Sequence, residues 1–413
     1  MEFAEKKRAI LEFKACDHCL GRQFHSKIKA PNELIGAAVR KSRSIKEATR
    51  LAEKGRLPAM DGKECMLCGG LFIRIPEAIS SIKRSTSGLE YSTFLMGCRI
   101  PAALMENEEK LFSKIGMDGV ESIKREVNRL IGKEITKETG KAADFKSPDL
   151  NIVHDFSRNS TEVQVNPLFI YGRYQKLERG LPQTKWPCSS CMGRGCKECG
   201  NTGKQYKETV EDLVASVVLA ETGGKDTKFH GHGREDKDAR MLGEGRPFIL
   251  EVDKPVRRDI DWKKLEKAIN DKFAKKIRIT GLRPSGKEEV VIIKTITFDK
   301  CYRALVKCES PPSKEELKKL EGLAGMEISQ KTPTRVLHRR ADKVRVRKIK
   351  SIKCRPTKKP DEFECEITAE AGTYIKELIT GDFGRTIPSF AGITGKNCEC
   401  KELDVMDIIE IKK

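Results

Sequence analysis

Residues 186–203 read WPCSSCMGRGCKECGNTG and separate two regions of the chain that look able to fold on their own. The stretch is almost entirely Cys, Gly and turn-forming residues, and it has too few apolar side chains to fold without a cross-link. Its two CxxC pairs are separated by four residues, and Gly193 and Gly195 permit the tight turn that brings the sulfurs together. We therefore predict a zinc knuckle at 186–203 with four thiolate ligands: Cys188, Cys191, Cys196 and Cys199.

Two further CxxC pairs near the N-terminus offer a second set of four thiolates: Cys16, Cys19, Cys65 and Cys68. Together with the knuckle, four CxxC pairs hold eight of the 15 cysteines, which in a long chain favours metal sites in a reducing compartment over a disulfide framework. Four cysteines enclose zinc with no open position, so we expect one or two structural zinc ions. His18 could replace a thiolate of the N-terminal set, although a solvated histidine fits a complete set of cysteines better. The other cysteines, including Cys398 and Cys400, are predicted to be buried small hydrophobes.

The rest of the sequence divides around the knuckle. Residues 1–72 are Lys-rich, contain a helical stretch over 45–54, and fit an N-terminal zinc-binding module. Residues 73–185 mix helices with strands, and the turn-forming residues 157–160 predict a hairpin between Asn151–Phe156 and Thr161–Val165. Residues 204–413 are long enough for a catalytic domain.

The pattern after residue 204 alternates helices with strands. Helix N-caps are predicted at Thr209, Asp261 and Ser313. Strands are predicted at 227–229, 277–280, 290–298 and 300–307. Several of these strands look antiparallel, so the predicted fold class is α/β (α+β) with a mixed, mainly antiparallel sheet in the second half.

The charge balance points to a polyanionic partner. The chain carries 81 Lys and Arg against 61 Asp and Glu, a formal net charge of +20, which favours nucleic acid. The most apolar run, 213–220, has eight residues, whereas a spanning helix needs about 20, so no membrane is expected. The start, MEFAEKKRAILEF, lacks the hydrophobic core of a secretory signal, and we expect a cytoplasmic protein.

One segment concentrates this charge. Residues 331–360 contain thirteen Lys or Arg and one acidic residue, Asp342. The alternation in VRVRKI (344–349) would hold basic side chains on one face of a strand for phosphate contacts, so we favour RNA binding over a merely solvated surface. No helix-turn-helix or basic-zipper pattern occurs, which disfavours duplex DNA. Aromatic residues make up 6% of the chain and give little support to an extended stacking platform, so recognition of folded RNA shape is predicted.

A polar turn after a predicted strand, GHGREDKDAR (231–240), is the densest candidate for a reaction site. Taken alone, a structural salt-bridged turn would explain it equally well. The sequence has no GxGxxG, P-loop or HExxH pattern, so we expect chemistry by side chains without an organic cofactor.

Several long strings resemble the archaeal and eukaryotic Pus-ten family of pseudouridine synthases, which modify tRNA. GREDKDARMLGEGRPF (233–248) is similar to the catalytic motif of that family, and GTYIKELITGDFGRTIPS (372–389) to its last active-site motif. NPLFIYGRYQKLERGLPQTKW (166–186) resembles the end of its THUMP-type RNA-binding domain, and TPTRVLHRRAD (332–342) its basic segment. The resemblance implies a THUMP-type domain over 73–185 and a pseudouridine synthase domain over 204–413.

The resemblance also implies roles for individual residues. The RxD pattern makes Asp236 the catalytic carboxylate, a nucleophile on C1′ or a base at C2′, with Asp238 as the competing candidate. Tyr302 would stack on the target base and Lys376 would pair with the carboxylate. The implied substrate contacts come from the same strings: Arg234, Leu378, Tyr374, Arg173, Lys176, Arg335, His338, Arg339 and Arg340.

The implied substrate is uridine 54 or 55 in the T loop of tRNA, which the enzyme must flip out of its stack. We expect a monomer that needs no cofactor for catalysis. Thiolation and methylation enzymes with a THUMP domain are disfavoured, since they need nucleotide-binding or methyl-donor motifs that this sequence lacks. A non-catalytic RNA-binding or assembly protein is the other alternative, and it would tolerate loss of Asp236.

Overall fold

The computed structural model describes residues 2–55, 57 and 62–409, and the side chain of Arg339 lies outside this description. The described residues form two compact units. The first unit runs to Asn166 and includes Val256–Arg258, and the second comprises Pro167–Pro255 and the described residues from Asp259 onward.

The first unit combines a helical region with a small sheet. Its helices are α1 Phe3–Leu11, α2 Asp17–Gly21, α3 Asn32–Lys41, α4 Ile45–Glu53, α5 Ile75–Thr86, α6 Ala102–Ile115 and α7 Ile123–Thr139. Its strands are β1 Thr93–Arg99, β2 Ala142–Ala143, β3 Leu150–Asp155 and β4 Ser160–Val165. The described strands pair in the order β2-β1-β3-β4, in which β1 is parallel to both neighbours and β3–β4 is the predicted antiparallel hairpin. The predicted helix over 45–54 is likewise confirmed as α4.

Helices α2 and α3 pack with their backbones in contact. A Cβ at Gly21 would lie 1.8 Å from the carbonyl oxygen of Asn32, and one at Gly36 would lie 1.8 Å from that of Asp17. Only glycine permits this approach. The contact fixes the start of α2, which lies between Cys16 and Cys19, inside the core of the first unit.

The second unit is built on a large sheet. Its helices are α8 Val210–Thr222, α9 Trp262–Phe273, α10 Lys287–Thr295, α11 Lys314–Glu321, α12 Ile375–Thr380 and α13 Phe390–Thr394. Its strands are β5 Leu168–Lys176, β6 Asp226–Gly231, β7 Arg240–Asp253, β8 Ile277–Ser285, β9 Asp299–Cys308, β10 Glu327–Lys331, β11 Val344–Pro356, β12 Glu362–Ala369, β13 Thr386–Ile387 and β14 Cys398–Ile409.

The described strands of this unit pair in the order β13-β10-β11-β12-β9-β14-β7-β5-β8, and β6 adds to β7. The β14–β7 pair is parallel and the other pairs are antiparallel. The predicted α/β fold with a mixed, mainly antiparallel sheet is therefore confirmed. The predicted N-caps also form, because Thr209, Asp261 and Ser313 each accept a hydrogen bond from a backbone N–H three residues later.

The division between the units differs from the predicted one. We placed residues 166–185 at the end of the RNA-binding domain, whereas β5 lies between β7 and β8 in the sheet of the second unit. Every second residue of β5 is buried there, beginning with Leu168. An alternating strand of this kind fits either sheet, so the sequence pattern alone could not assign it.

The strand predicted at 290–298 is wrong. Residues 287–295 form helix α10, in which Val290 and Ile293 lie three positions apart and pack against Ile249. The apolar β-branched run suggested a strand, but Gly286 and the two following acidic residues, Glu288 and Glu289, fit a helix N-terminus. In the part of the chain that is described, no helix is long and apolar enough to cross a membrane.

Candidate active site

A cleft of about 430 Å³ in the second unit collects residues from distant parts of the sequence. The turn between β6 and β7 contributes Asp236, β9 contributes Tyr302, and the start of α12 contributes Lys376. All three predicted catalytic residues therefore line one cleft. Its described lining holds eight Lys or Arg and two acidic residues, a balance that suits a polyanionic ligand.

Two cations hold the Asp236 carboxylate. Arg335 Nη1 lies 3.1 Å from it and Lys376 Nζ 3.5 Å. Lys376 approaches Asp238 more closely, at 2.6 Å, and Asp236 lines the cleft whereas Asp238 lines a groove beside it. Burial alone would raise the pKa of Asp238, but the hydrogen bond and charge of Lys376 lower it below the ordinary value.

Tyr302 and Lys300 lie two residues apart on β9, so both side chains face the cleft. Tyr302 is 8% exposed, and burial raises the pKa of its phenol to about 12. Burial, together with the charge of Arg246, lowers the pKa of Lys300 to about 8. Lys300 was not predicted as a site residue.

Tyr374 lines the cleft at the N-terminus of α12, as predicted for a substrate-binding residue. The buried side chain of Gln330 fixes its backbone, accepting from the N–H of Tyr374 at 2.9 Å and donating to its carbonyl at 3.0 Å. Arg340 donates to its hydroxyl at 3.1 Å. The sequence analysis missed Gln330, a lone amide on a short strand.

The basic segment meets the cleft in part. Arg335 and Arg340 line it, together with Arg345 and Arg347, which alternate along β11 as the VRVRKI pattern predicts. His338 is exposed and does not belong to the described lining. The side chain of Arg339 lies outside the described part of the structure.

A cluster of buried charges lies beneath the turn that carries Asp236. The Glu235 carboxylate accepts hydrogen bonds from Arg246 Nε and Tyr174 Oη, both at 2.8 Å. Arg246 also donates to the carbonyl oxygen of His232 at 2.8 Å. Burial alone would raise the pKa of Glu235, but the charges of Arg246 and Lys176 lower it below its usual value.

Lys176 belongs to this cluster, which corrects its predicted role in RNA binding. Its side chain is fully buried, and its ammonium donates to the carbonyl oxygens of Leu181, Asp236 and Lys237 at 2.9–3.1 Å. Lys176 therefore fixes the backbone of the predicted catalytic residue. The alternation along β5 was the signal for this role, since it places Lys176 on the buried face.

Two other predicted substrate contacts lie away from the cleft. Arg173 donates to the carbonyl oxygens of Glu244 and Gly245 and lines a separate shallow pocket. Leu378 is fully buried in the core of the second unit. Residues two positions apart on a helix point in nearly opposite directions. Because Lys376 faces the cleft, Leu378 faces the core.

The two sets of cysteines each form a compact cluster. We call Cys16, Cys19, Cys65 and Cys68 the first cysteine cluster and Cys188, Cys191, Cys196 and Cys199 the second. The four sulfur atoms of each lie within 4.8 Å of one another, and measured pairs are 3.7–3.9 Å apart. Thiolates around tetrahedral zinc at about 2.3 Å are separated by about 3.8 Å, so both clusters fit a metal ion.

Backbone donors and neighbouring residues complete the clusters. In the second cluster the N–H of Gly195 donates to Cys191 Sγ at 3.1 Å, and the N–H of Gly203 donates to Cys199 Sγ at 3.2 Å. His18, the alternative ligand of the first cluster, instead bonds Glu126 at 3.0 Å through Nδ1. Its side chain is 22% exposed, so it is a largely buried hydrogen-bond partner of Glu126 rather than a solvated group.

Two family models match this chain over separate ranges. The family model described as "Pus10, C-terminal" matches residues 169–409, and the one described as "Pus10 THUMP domain, archaeal" matches residues 79–155.

Relatives named tRNA pseudouridine synthase Pus10 match along nearly the whole chain. The protein of Methanothermobacter marburgensis is 44% identical and covers 99% of this chain and 100% of its own length. That of Methanopyrus kandleri is 37% identical and covers 98% of both. A solved Cbf5-Nop10-Gar1 complex, at 15% identity over 57% of this chain and 48% of that chain, has a TM-score of 0.31, too low to support an argument. The chain belongs to the Pus10 family and is a pseudouridine synthase, an enzyme of the isomerase class.

Proposed function

We propose that this enzyme converts uridine 54, uridine 55 or both to pseudouridine in the T loop of tRNA, with Asp236 as the reacting carboxylate. The observation that carries the proposal is the position of Asp236, held by two cations in a basic cleft that Tyr302 also lines. The names of the relatives support tRNA as the substrate. The matched THUMP domain supports RNA binding by the first unit.

The chemistry needs no other reactant. The N1–C1′ bond of uridine breaks, the freed uracil turns within the cleft, and a C5–C1′ bond forms as C5 loses its proton and N1 gains one. Asp236 acts on the sugar, as a nucleophile on C1′ or a base at C2′. Arg335 and Lys376 lie 3.1 and 3.5 Å from this carboxylate and fix its position in the cleft.

Tyr302 would hold the uracil while it turns. Its phenol is protonated at neutral pH, and burial raises its pKa further, to about 12. A neutral aromatic ring in the cleft wall provides a stacking surface that keeps water from the freed base. The apolar neighbours Leu403 and Val405 extend this surface.

The proposal also covers the metal ions, the oligomeric state and the cellular location. Each cysteine cluster would hold one zinc ion, whose closed coordination stabilises the fold and supplies no reactive position. We further propose that the protein acts as a monomer in the cytoplasm, which size-exclusion chromatography and cell fractionation would test.

Three variants assayed on one unmodified tRNA transcript test the role of Asp236. Asp236→Asn removes the charge with almost no change in volume, so the rate should fall by at least about a thousandfold while tRNA binding and thermal unfolding stay unchanged. Asp238→Asn should retain substantial activity. Lys376→Met should slow the reaction more than it weakens binding, because the carboxylate loses a partner in the cleft.

Carbodiimide or mass-spectrometric mapping of the product gives the modified position. Transcripts with cytidine at 54, at 55 or at both positions serve as matched controls. An active Asp236→Asn enzyme would refute the assignment, and an inactive Asp238→Asn enzyme beside it would move the reacting carboxylate to Asp238. Product at neither position in the T loop would refute the proposed substrate site.

A further inference from the structure

A groove of about 210 Å³ adjoins the active cleft and shares part of its lining with it. Asp236, Arg335 and Lys376 line both. The groove is also lined by Trp186 and Tyr206, which lie on either side of the second cysteine cluster in the sequence. The groove therefore connects the predicted reaction centre with the cysteine loop.

The two aromatic residues occupy the stem of that loop. Pro187 and Lys204 form an antiparallel bridge, and the N–H of Gln205 donates to the carbonyl oxygen of Trp186 at 2.9 Å. The ring centroids of Trp186 and Tyr206 are 5.7 Å apart in an edge-to-face arrangement. The second cysteine cluster closes the loop above this stem, so it fixes the spacing between the two rings.

Both rings are half-buried and carry a cation from the turn that bears Asp236. The guanidinium of Arg234 lies 5.1 Å from the centroid of Trp186, and Lys237 Nζ lies 5.2 Å from that of Tyr206. Arg234 and Lys237 are exposed. Cations of this kind can turn toward the phosphates of a bound strand and leave the ring faces open.

The energies favour this exchange. A cation over an aromatic ring at an exposed site interacts weakly with that ring. A nucleobase stacked on an aromatic side chain interacts more strongly, and the released cations gain charge-assisted contacts with phosphate. A nucleobase is therefore the better partner for the two rings once RNA is present.

We propose that Trp186 and Tyr206 form a stacking site for a base of the RNA strand next to the uridine that enters the cleft. The site rests on the function proposed above, because it requires a strand that continues out of the cleft. It also assigns a purpose to the second cysteine cluster, which holds the two rings at the exit of the cleft. A low aromatic content disfavours an extended stacking platform for single-stranded RNA, but it is compatible with one pair of rings that stacks a single base.

Intrinsic fluorescence tests the site, since the chain has two tryptophans. Trp262→Phe leaves Trp186 as the sole indole. Binding of an unmodified tRNA transcript should then quench the emission of Trp186 and also protect it from acrylamide. The matched protein, Trp186→Phe with Trp262 retained, should show neither effect. Adding Asp236→Asn to both proteins removes turnover during the titration.

The outcomes separate stacking from simple movement of Arg234. Unchanged emission of Trp186 on saturating tRNA would overturn the proposal. So would a change accompanied by equal or greater access to acrylamide, because the ring would then have lost Arg234 without gaining a base. These results do not depend on activity, so they stand apart from the tests of Asp236.

Binding measurements give a second arm. Trp186→Ala should weaken tRNA affinity by about 5- to 100-fold at fixed salt. The affinity loss of Trp186→Phe should be less than half as large on a logarithmic scale, because a phenyl ring still stacks on a base. Metal content and thermal unfolding should match those of the parent protein. Parent-like affinity in a folded, metal-loaded Trp186→Ala protein would overturn the site. If that variant loses its metal, the fluorescence arm decides.

Discussion

The two cysteine clusters offer the same four donor atoms at similar spacing but lie in opposite surroundings. In the first cluster Cys19 and Cys68 are fully buried, and all four cysteines belong to the hydrophobic core of the first unit. In the second, Cys196 and Cys199 are partly exposed, and none of the described residues 186–206 belongs to the core of the second unit. The same ligand set can therefore support a fold in one place and position a local surface in the other.

Cys19→Ala gives the largest expected effect. Binding of structural zinc contributes about 10–16 kcal/mol in small domains, which matches or exceeds the whole stability of a typical domain. We expect the metal content to fall by one ion per chain and the first unit to unfold. Circular dichroism and limited proteolysis of the region up to residue 166 measure this outcome.

Cys98→Ala is the matched control, because Cys98 is 2% exposed in the same core but lies outside the cluster. It should keep both metal ions and lose only about 1 kcal/mol of the free energy of unfolding. A Cys19→Ala protein with a normal unfolding transition would show that the first cluster does not hold this unit together.

Lys176→Met extends the comparison from sulfur ligands to charges. Lys176 on β5 is buried and donates hydrogen bonds to three carbonyl oxygens. Lys237 lies on the turn that Lys176 contacts, but its side chain is exposed. Removing one member of a buried charge cluster costs about 3–5 kcal/mol, so the second unit should be destabilised by that amount. Lys237→Met should stay within about 0.5 kcal/mol of the parent protein in the same denaturant titration. Equal stabilities would contradict the structural role of Lys176.

Cys199→Ala should have a moderate effect on tRNA binding and little effect on the fold. The metal content should again fall by one ion, but the unfolding temperature should change little, because the loop lies outside the core. Trp186 and Tyr206 lose their fixed spacing, so part of the stacking energy of about 1–3 kcal/mol per base is lost, and tRNA affinity at fixed salt should fall by about tenfold. Cys400→Ala, at a partly exposed cysteine outside both clusters, is the control. Loss of the fold in Cys199→Ala would remove the distinction between the clusters.

The sequence predicted the parts of this molecule that depend on local spacing. The CxxC pairs, the hairpin of β3 and β4 and the N-caps follow from neighbouring residues, and each is present in the structure. The gathering of Asp236, Tyr302 and Lys376 in one cleft was predicted through resemblance. The residues lie far apart in the chain, and no local pattern could have joined them.

The rest of the structure depends on tertiary contacts that the sequence does not display. Residues 290–293 are apolar and β-branched, yet they lie in helix α10, which buries Val290 and Ile293 against Ile249 of the sheet. Charged residues are normally exposed, so the residue types of Lys176 and Glu235 give no sign that the two are buried. In the structure both are buried and form an ion pair with each other. Leu378 lies in the core and not in the cleft, because its motif forms helix α12 and places Leu378 on the face opposite Lys376.

In its exposure to solvent, Lys300 is intermediate between the buried Lys176 and the exposed Lys237. It gives the smallest effect that we predict. Its amine lines the cleft, and burial with the nearby charge of Arg246 lowers its pKa to about 8 from an ordinary value of 10.5. In the folded protein the amine therefore loses its proton as the pH rises through about 8, whereas in the unfolded chain it stays charged to about 10.5. The unfolded state binds more protons in this window, so the contribution of Lys300 to stability increases with pH between these values.

The effect on RNA binding has the opposite sign, because a neutral amine no longer attracts phosphate. Between pH 7 and pH 9 at fixed salt, the affinity of the Asp236→Asn protein for tRNA should fall by a few-fold, as expected for the loss of one partly screened charge. Lys300→Arg keeps its charge at both values and should bind equally well at both. Lys300→Met should bind equally weakly at both. If the pH dependence persists unchanged in Lys300→Arg, another group in the protein titrates in this range and the role assigned to Lys300 is wrong.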